Sequence, residues 1–199
     1  MKTILTAFSF ALGLAACSPE PSRAPEPAPD TASAPPVAAP APPTPSPTEA
    51  PAAPANANTL TLEGLGPLRI NQPVPAGSGW AERGAQISNA CRTISAPDFP
   101  GVYAIVQQDR VRRITVGRRS TVTLVDGIGV GASEADVRAA FPRFREEPHK
   151  YSDPPAKYLT APRAAGGDPA LRFEIGPDGK VALIHVGTMP VLGYVEGCA

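Results

Sequence analysis

The sequence predicts an α+β protein: two degenerate tandem modules, each a short helix plus an antiparallel β-hairpin sheet, after a disordered Pro/Ala linker. A hairpin-like pattern occurs twice, 70 residues apart, and a helix-capping sequence precedes its second copy. Of 27 prolines in 199 residues, fourteen fall within residues 18–58. The formal charge is zero, with 18 basic and 18 acidic residues, so no nucleic-acid partner is predicted.

The N-terminus has the pattern of a secretion signal. A short positive start precedes an apolar run at residues 4–16, which is too short to span a bilayer. The run ends in Leu-Ala-Ala-Cys17 and resembles the bacterial lipobox, in which cleavage precedes the cysteine and the thiol receives a lipid. Residues 1–16 are therefore predicted to be a lipoprotein signal peptide. An ordinary signal peptide with an unrelated cysteine is the alternative.

The residues after Cys17 indicate where such a protein would lie. Ser18, in place of aspartate, predicts anchoring in the outer membrane, with the body facing the periplasm. Residues 17–58 contain twelve alanines and no aromatic residue, so they favour extended polyproline II and are predicted to be a lipid-anchored spacer. The folded body is expected at residues 59–199, with approximate modules 59–120 and 121–199.

Two cysteines remain once Cys17 carries lipid. Cys91 and Cys198 are an even number in an oxidising compartment, and this predicts a disulfide between them. Two free buried thiols are the alternative. Neither cysteine has Cys-x-x-Cys or metal-ligand spacing, so no metal and no cofactor are predicted.

The repeated pattern within the body is typical of β-hairpins. Residues 103–117 and 173–187 align without a gap, with Tyr103 on Phe173 and an Ile-x-Val-Gly sequence ending both copies. The second copy carries a Pro-Asp-Gly turn signal at residues 177–179. Each copy is therefore predicted to form a hairpin.

A helix is predicted before the second hairpin. Ser133 is a favourable N-cap, and Asp136, three residues later, approximates a capping box. The predicted apolar face and the proline that ends the helix are Val137, Ala140, Phe141 and Pro142. Prolines interrupt the matching region of the first copy, so its helix is expected later, around Trp80 to Ile87.

These elements resemble a known family. A short strand, the pattern Gly-x-[ST]-x-x-[DE]-[VL] opening a helix, and an antiparallel hairpin, in tandem, resemble the β-lactamase-inhibitor-protein-like fold. One such unit occurs in small outer-membrane lipoproteins of the barrel-assembly machine. The second copy matches through Gly131, Ser133, Asp136 and Val137, whereas the first departs from the pattern. The resemblance implies a sheet face that offers a docking surface to an envelope protein.

The C-terminal half resembles a group of uncharacterised proteobacterial lipoproteins, some labelled lectin-like. The segments that carry this resemblance are His149-Lys150-Tyr151, Lys157-Tyr158-Leu159 and Tyr194-Val195-Glu196-Gly197-Cys198. Because exposed aromatic rings bind sugars, Tyr151 and Tyr158 become candidate glycan-binding residues.

Strand alternation divides the second hairpin into two faces. Ile184 and Val186 are predicted to be core, and intervening residues to lie on the opposite, exposed face. An ordinary solvated sheet face is the alternative to a recognition surface. The tentative binding residues on that face are Arg113, Thr115, Arg172, Glu174 and His185.

Other patterns indicate little chemistry. Residues 127–131 lack the full glycine spacing of a dinucleotide-binding loop, and Ser133 lacks the second glycine of a nucleophile elbow. The arginines of residues 110–119 could contact anionic groups or could simply be solvated. The predicted function is therefore a non-enzymatic protein-interaction module at the outer membrane. Lectin-like glycan or peptidoglycan binding is the alternative, and a hydrolase is a further one.

Overall fold

The structure, a computed structural model, describes residues 57–86 and 88–198. The predicted signal peptide, Cys17 and nearly all of the predicted linker lie outside the described residues. Those described belong to one compact unit, Glu49–Ala199. Within them, no helix is long and apolar enough to cross a membrane.

The described chain is mostly β-structure with one α-helix. In chain order, the elements are β1 (Thr59–Leu60), β2 (Gly64–Leu65), β3 (Leu68–Arg69), β4 (Ala81–Glu82), β5 (Cys91–Ser95), β6 (Val102–Gln107), β7 (Arg110–Val116), β8 (Thr123–Leu124), α1 (Glu134–Ala140), β9 (Arg145–Pro148), β10 (Lys157–Thr160), β11 (Ala170–Ile175) and β12 (Val181–Gly187). Short 3-10 turns follow at Ala164–Gly166 and Val191–Gly193. The predicted α+β class with antiparallel sheets is confirmed.

One eight-stranded antiparallel sheet organises the molecule. Its order is β4-β5-β6-β7-β12-β11-β10-β9, so the two hairpins β6–β7 and β11–β12 lie side by side at its centre. Strands β7 and β12 join them, with Thr115 opposite His185. Two-stranded sheets β1–β8 and β2–β3 lie apart from this one.

The turns of the two hairpins differ in length. In the first, Gln107 pairs with Arg110 across a two-residue turn, whose residues Gln108 and Asp109 have φ of 55° and 56°. Positive φ at both central residues is typical of the tight turns that suit twisted strands. In the second, the Gly176 N–H donates to the Lys180 carbonyl at 2.8 Å, which leaves a three-residue turn.

The longer turn corrects the gapless alignment. Tyr103 pairs with Thr115, whereas Phe173 pairs with Ile184. Tyr103 therefore lies on the opposite face of the sheet from Phe173, which is fully buried in the core. The alignment of the two aromatic residues is wrong by one position, because the additional turn residue shifts the first strand of the hairpin.

The first face of the sheet carries the main hydrophobic core. Ile114, Ile184 and Val186 are at most 1% exposed there, as the alternation predicted. Helix α1 packs on this face through Val137. The capping box of Ser133 and Asp136 is confirmed. Ala140, expected on the apolar face, is exposed, because a helix of seven residues turns only one fully buried side chain to the sheet.

The helix expected around Trp80 to Ile87 is not formed by the described residues of that stretch. The chain instead forms β4, which pairs with β5 at the edge of the sheet. Gly79 and Gly84 flank this strand with φ of 78° and 80°, values outside the helical region. Trp80 is buried and stacks on Phe99, with ring centroids 5.6 Å apart, so tertiary packing determines the local structure.

The second face of the sheet is covered by the C-terminal segment, Thr188–Cys198. Val191 packs there against Cys91 and Ile105. Leu192 is completely buried beside Ala170. The predicted Cys91–Cys198 disulfide is present and fastens the end of the segment to β5.

Candidate functional site

The five binding residues predicted on the sheet face do not form an exposed surface. Thr115 and Arg113 are completely buried, Arg172 and His185 are at most 7% exposed, and Glu174 is half-buried. The alternation of side chains along the strands correctly placed them on one face of the sheet. This is the second face, which the C-terminal segment covers. The expectation of exposure is therefore wrong. We call these five residues the polar layer.

The centre of the polar layer is a hydrogen bond between the two hairpins. The Thr115 Oγ1 and His185 Nδ1 atoms are 2.9 Å apart and belong to directly opposed residues of β7 and β12. Both side chains are buried, so this bond satisfies polar groups that have lost water.

Arg113 joins the polar layer to the C-terminal segment. Its Nη1 donates to the carbonyl oxygens of Val191, at 3.1 Å, and Tyr194. The Tyr103 hydroxyl lies 3.5 Å from Nη2. Among the described residues no carboxylate forms an ion pair with Arg113, and its Nε has no partner. Burial lowers the pKa of this guanidinium.

A stack of side chains continues the layer toward β9. The His149 ring stacks on Tyr158 at 4.9 Å, and the Arg172 guanidinium lies 4.0 Å from the Tyr158 ring centroid. Arg172 also approaches the Glu147 carboxylate at 3.4 Å. Tyr158 is buried, so it is not available as a sugar-stacking platform.

His149 has its tautomer set by its neighbours. Its Nδ1 accepts the backbone N–H groups of Tyr151 and Ser152 at 3.1 and 3.0 Å, so the ring proton lies on Nε2. That nitrogen is 3.2 Å from the Glu174 carboxylate. The loop is joined to the C-terminal segment by a hydrogen bond from the Tyr151 hydroxyl to Glu196. Contacts thus join residues of the three segments 149–151, 157–159 and 194–198.

An apolar groove of about 740 Å³ lies at one end of the large sheet. Phe141 and Phe144, which follow α1, form one wall, and Leu171 and Val186 contribute from the sheet. The opposite wall comes from β1 and β8 with the turns that follow them. This size falls within the range of about 300–1,000 Å³ that is usual for ligand pockets.

Two exposed apolar side chains flank the groove. Leu62 is 46% and Val125 76% exposed, and both occupy central positions of tight turns. Turns usually carry small or polar residues there. Because β1 and β8 pair in parallel, the turns leave these strands at the same end and both line the groove.

Charges of both signs border the groove. Arg143 and Arg163 contribute guanidinium groups, and Asp126 and Asp168 contribute carboxylates. All four residues are exposed. The groove therefore combines an apolar interior with a mixed ionic rim.

The arginine-rich stretch does not form one patch. Arg113 is buried, whereas Arg118 and Arg119 are exposed in the turn after β7. Arg110 and Arg112 both bind Asn71, through its carbonyl oxygen and its side-chain oxygen respectively. The strand alternation that buries one arginine separates it from its neighbours.

The residues considered for catalysis have other partners. The Ser133 hydroxyl lies 2.6 Å from the Asp136 carboxylate within the helix cap, and His185 binds Thr115. No group of three histidine, cysteine, aspartate or glutamate side chains in residues 57–86 and 88–198 is placed to hold a metal ion.

The groove is the feature that sequence reasoning missed. Its walls come from residues 60–62, 124–126, 141–144 and 161–171, which no local pattern connects. One local signal was available in the sequence. Val125 directly precedes Asp126-Gly127, a dipeptide typical of turns, where a β-branched apolar residue is unusual.

The chain matches no protein-family model, no curated protein and no solved structure in comparisons with known proteins.

Burial of His185 predicts a pH dependence of stability. Burial first, and then the charges of Arg113 and Arg172, hold its pKa well below 6.5. As the pH falls below about 6.5, this histidine becomes protonated in the unfolded chain but stays neutral in the native state. The free energy of unfolding therefore decreases by up to about 1.4 kcal/mol per pH unit. Urea unfolding of the wild type and the His185→Gln variant from pH 8 to 5 measures this, and the variant should lack that part of the slope.

The chain's other histidine provides the control. His149→Gln keeps His185 and should retain the contribution of that residue to the slope. An unchanged pH dependence in His185→Gln would show that His185 is protonated equally in the native and unfolded states.

Proposed function

We propose that this chain is a non-catalytic binding protein that captures another protein through the apolar groove. The observation that carries the proposal is the exposure of Leu62 and Val125 beside an apolar cavity of about 740 Å³. Exposed apolar surface next to a concave site is a common property of protein-binding surfaces. The predicted role as a protein-interaction module is thus kept, but at a different place from the polar layer.

The rim favours a polypeptide as the occupant. A fatty acid would match a rim of cations alone, whereas this groove is lined by Asp126 and Asp168 as well as by Arg143 and Arg163. A polypeptide segment offers charges of both signs beside its apolar side chains. The groove is therefore proposed to receive one or two bulky apolar side chains, with the rim charges setting their orientation.

Glycan or peptidoglycan binding is the second candidate, and Tyr151 is the observation that favours it. Its side chain is 59% exposed, and its hydroxyl is held by Glu196. The Lys150 amino group lies 5.1 Å from its ring centroid. An aromatic ring oriented among polar groups is suited to stack on a sugar.

We also propose that the body descends from two tandem modules related to the β-lactamase-inhibitor-protein-like fold. The bulged residues Arg112 and Ala182 lie 70 residues apart, at matching places in the two hairpins. The equivalent residues Thr115 and His185 face each other where the hairpins meet. On this proposal the first module has lost its helix, and the first hairpin has a turn one residue shorter.

Attachment to the outer membrane through Cys17 is part of the same proposal. The support is the lipobox-like Leu-Ala-Ala-Cys17 sequence with Ser18 after it. A proline-rich spacer at residues 17–58 would let the body reach partners away from the membrane surface. More than one acyl chain on the cysteine makes such anchoring stable.

The groove is tested by photo-cross-linking in the native envelope. A photoreactive residue at position 62 or 125 should give cross-links to the same protein, at a segment carrying bulky apolar residues. Val125→Asp should reduce capture of that partner protein at least tenfold. It should leave the melting temperature of this protein nearly unchanged, since the Val125 side chain is 76% exposed.

Tyr151 supplies the matched control, because it is also a large exposed apolar residue but does not line the groove. Equal cross-linking from position 151, or unaltered capture by Val125→Asp, would contradict the groove proposal. Sugar binding on a glycan array that Tyr151→Ala abolishes would favour the second candidate.

Lipidation is tested separately. Cys17→Ser should remove the protein from the outer-membrane fraction and give a soluble or uncleaved form, because no thiol is left to accept the lipid. The measurement is fractionation with salt and carbonate washes. A variant that still co-fractionates with the outer membrane would show that the anchor is elsewhere.

A further inference from the structure

A cluster of hydrogen-bond donors lies beneath the C-terminal segment. Arg113 is near the Tyr103 hydroxyl, and the hydrogen-bonded Thr115 and His185 lie on the same, second face of the sheet. All of these except Tyr103 are buried. The cluster is independent of the groove, which lies at the end of the sheet.

The acceptors that Arg113 finds are weak ones for a guanidinium. A single nitrogen, Nη1, serves the carbonyl oxygens of Val191 and Tyr194, while the buried Nε–H has no partner. Guanidinium groups bind carboxylates more strongly and often through two nitrogens. Arg172, by contrast, reaches the carboxylate of Glu147.

We propose that Arg113, with Tyr103, Thr115 and His185, forms a carboxylate-binding site that the C-terminal segment occludes. The carbonyl groups of Val191 and Tyr194 stand in for the carboxylate. The ligand is a free carboxylate carried by a polypeptide C-terminus or by a sugar acid.

The Cys91–Cys198 disulfide keeps the C-terminal segment over this site. The segment is continuous with β12 at one end and is bonded to β5 through Cys198 at the other. Between them, Thr188, Val191 and Leu192 are buried. A dithiol reductant would break the S–S bond, giving each sulfur one electron and one proton while its own sulfurs join. The segment would then be covalently attached at one end alone, and its remaining contacts could open to let it lift from Arg113.

The double variant Cys91→Ser/Cys198→Ser tests the site without a reductant. Isothermal titration uses acetyl-trialanine with a free carboxylate, the same peptide as its amide, and glucuronate. At least one of the two acids should bind the double variant tenfold or more tightly than the oxidised wild type, and the amide should bind neither protein. Peptide binding points to a polypeptide C-terminus, and glucuronate binding to a sugar acid.

Two further substitutions localise the effect. In the double variant, Arg113→Gln should abolish acid binding, and Arg118→Gln, at an exposed arginine outside the cluster, should not. Hydrogen exchange should show faster exchange at the Leu192 and Tyr194 amides, whose bonds lie within the segment. Equal affinity in the oxidised and double-variant proteins, or binding that survives Arg113→Gln, would overturn the proposal.

A variant that keeps the disulfide covers the case in which the double variant fails to fold. Leu192→Ala leaves a cavity under the segment, between it and Ala170. Binding of either acid by this variant should exceed that of the wild type. No increase would overturn the proposal.

Discussion

Every part of this architecture depends on covering the second face of the eight-stranded sheet. The described chain supplies one α-helix, and α1 packs on the first face through a single fully buried residue, Val137. The second face is therefore closed by irregular chain: the C-terminal segment, and the loop after β9 that stacks His149 on Tyr158. The Cys91–Cys198 disulfide fastens the end of the C-terminal segment to β5.

A cover of this kind explains why buried arginine and histidine are tolerated. Arg113 donates to two backbone carbonyl groups of the C-terminal segment, those of Val191 and Tyr194. The Nδ1 atom of His185 forms a hydrogen bond with Thr115 at the junction of the hairpins. The polar layer is thus part of the interior, whereas the apolar groove is a concave and open surface at the end of the sheet.

The sequence predicted the parts of the fold that depend on local periodicity. Alternation placed Ile184 and Val186 in the core and His185 on the other face, and the Ser133 cap located the helix. The burial of His185 could not be predicted, because it depends on a segment beyond the strand that folds back over the second face.

Other features depended on contacts that the sequence does not display. One additional turn residue in the second hairpin moved Tyr103 to the face opposite Phe173. The groove brings together residues from Leu60 to Val186, so only the parallel pairing of β1 with β8 reveals it. The Cys91–Cys198 pairing was predictable because so few cysteines remained to pair.

The second face of the sheet is internal in the folded protein, and arginine-specific labelling measures this. Phenylglyoxal treatment of the folded, oxidised protein, followed by mass spectrometry, reports the reactivity of each guanidinium. Arg113 and Arg172, at most 7% exposed, should stay unmodified while the exposed Arg118 and Arg119 react. Modification of Arg113 at the rate of Arg118 would contradict it and would make the polar layer a surface.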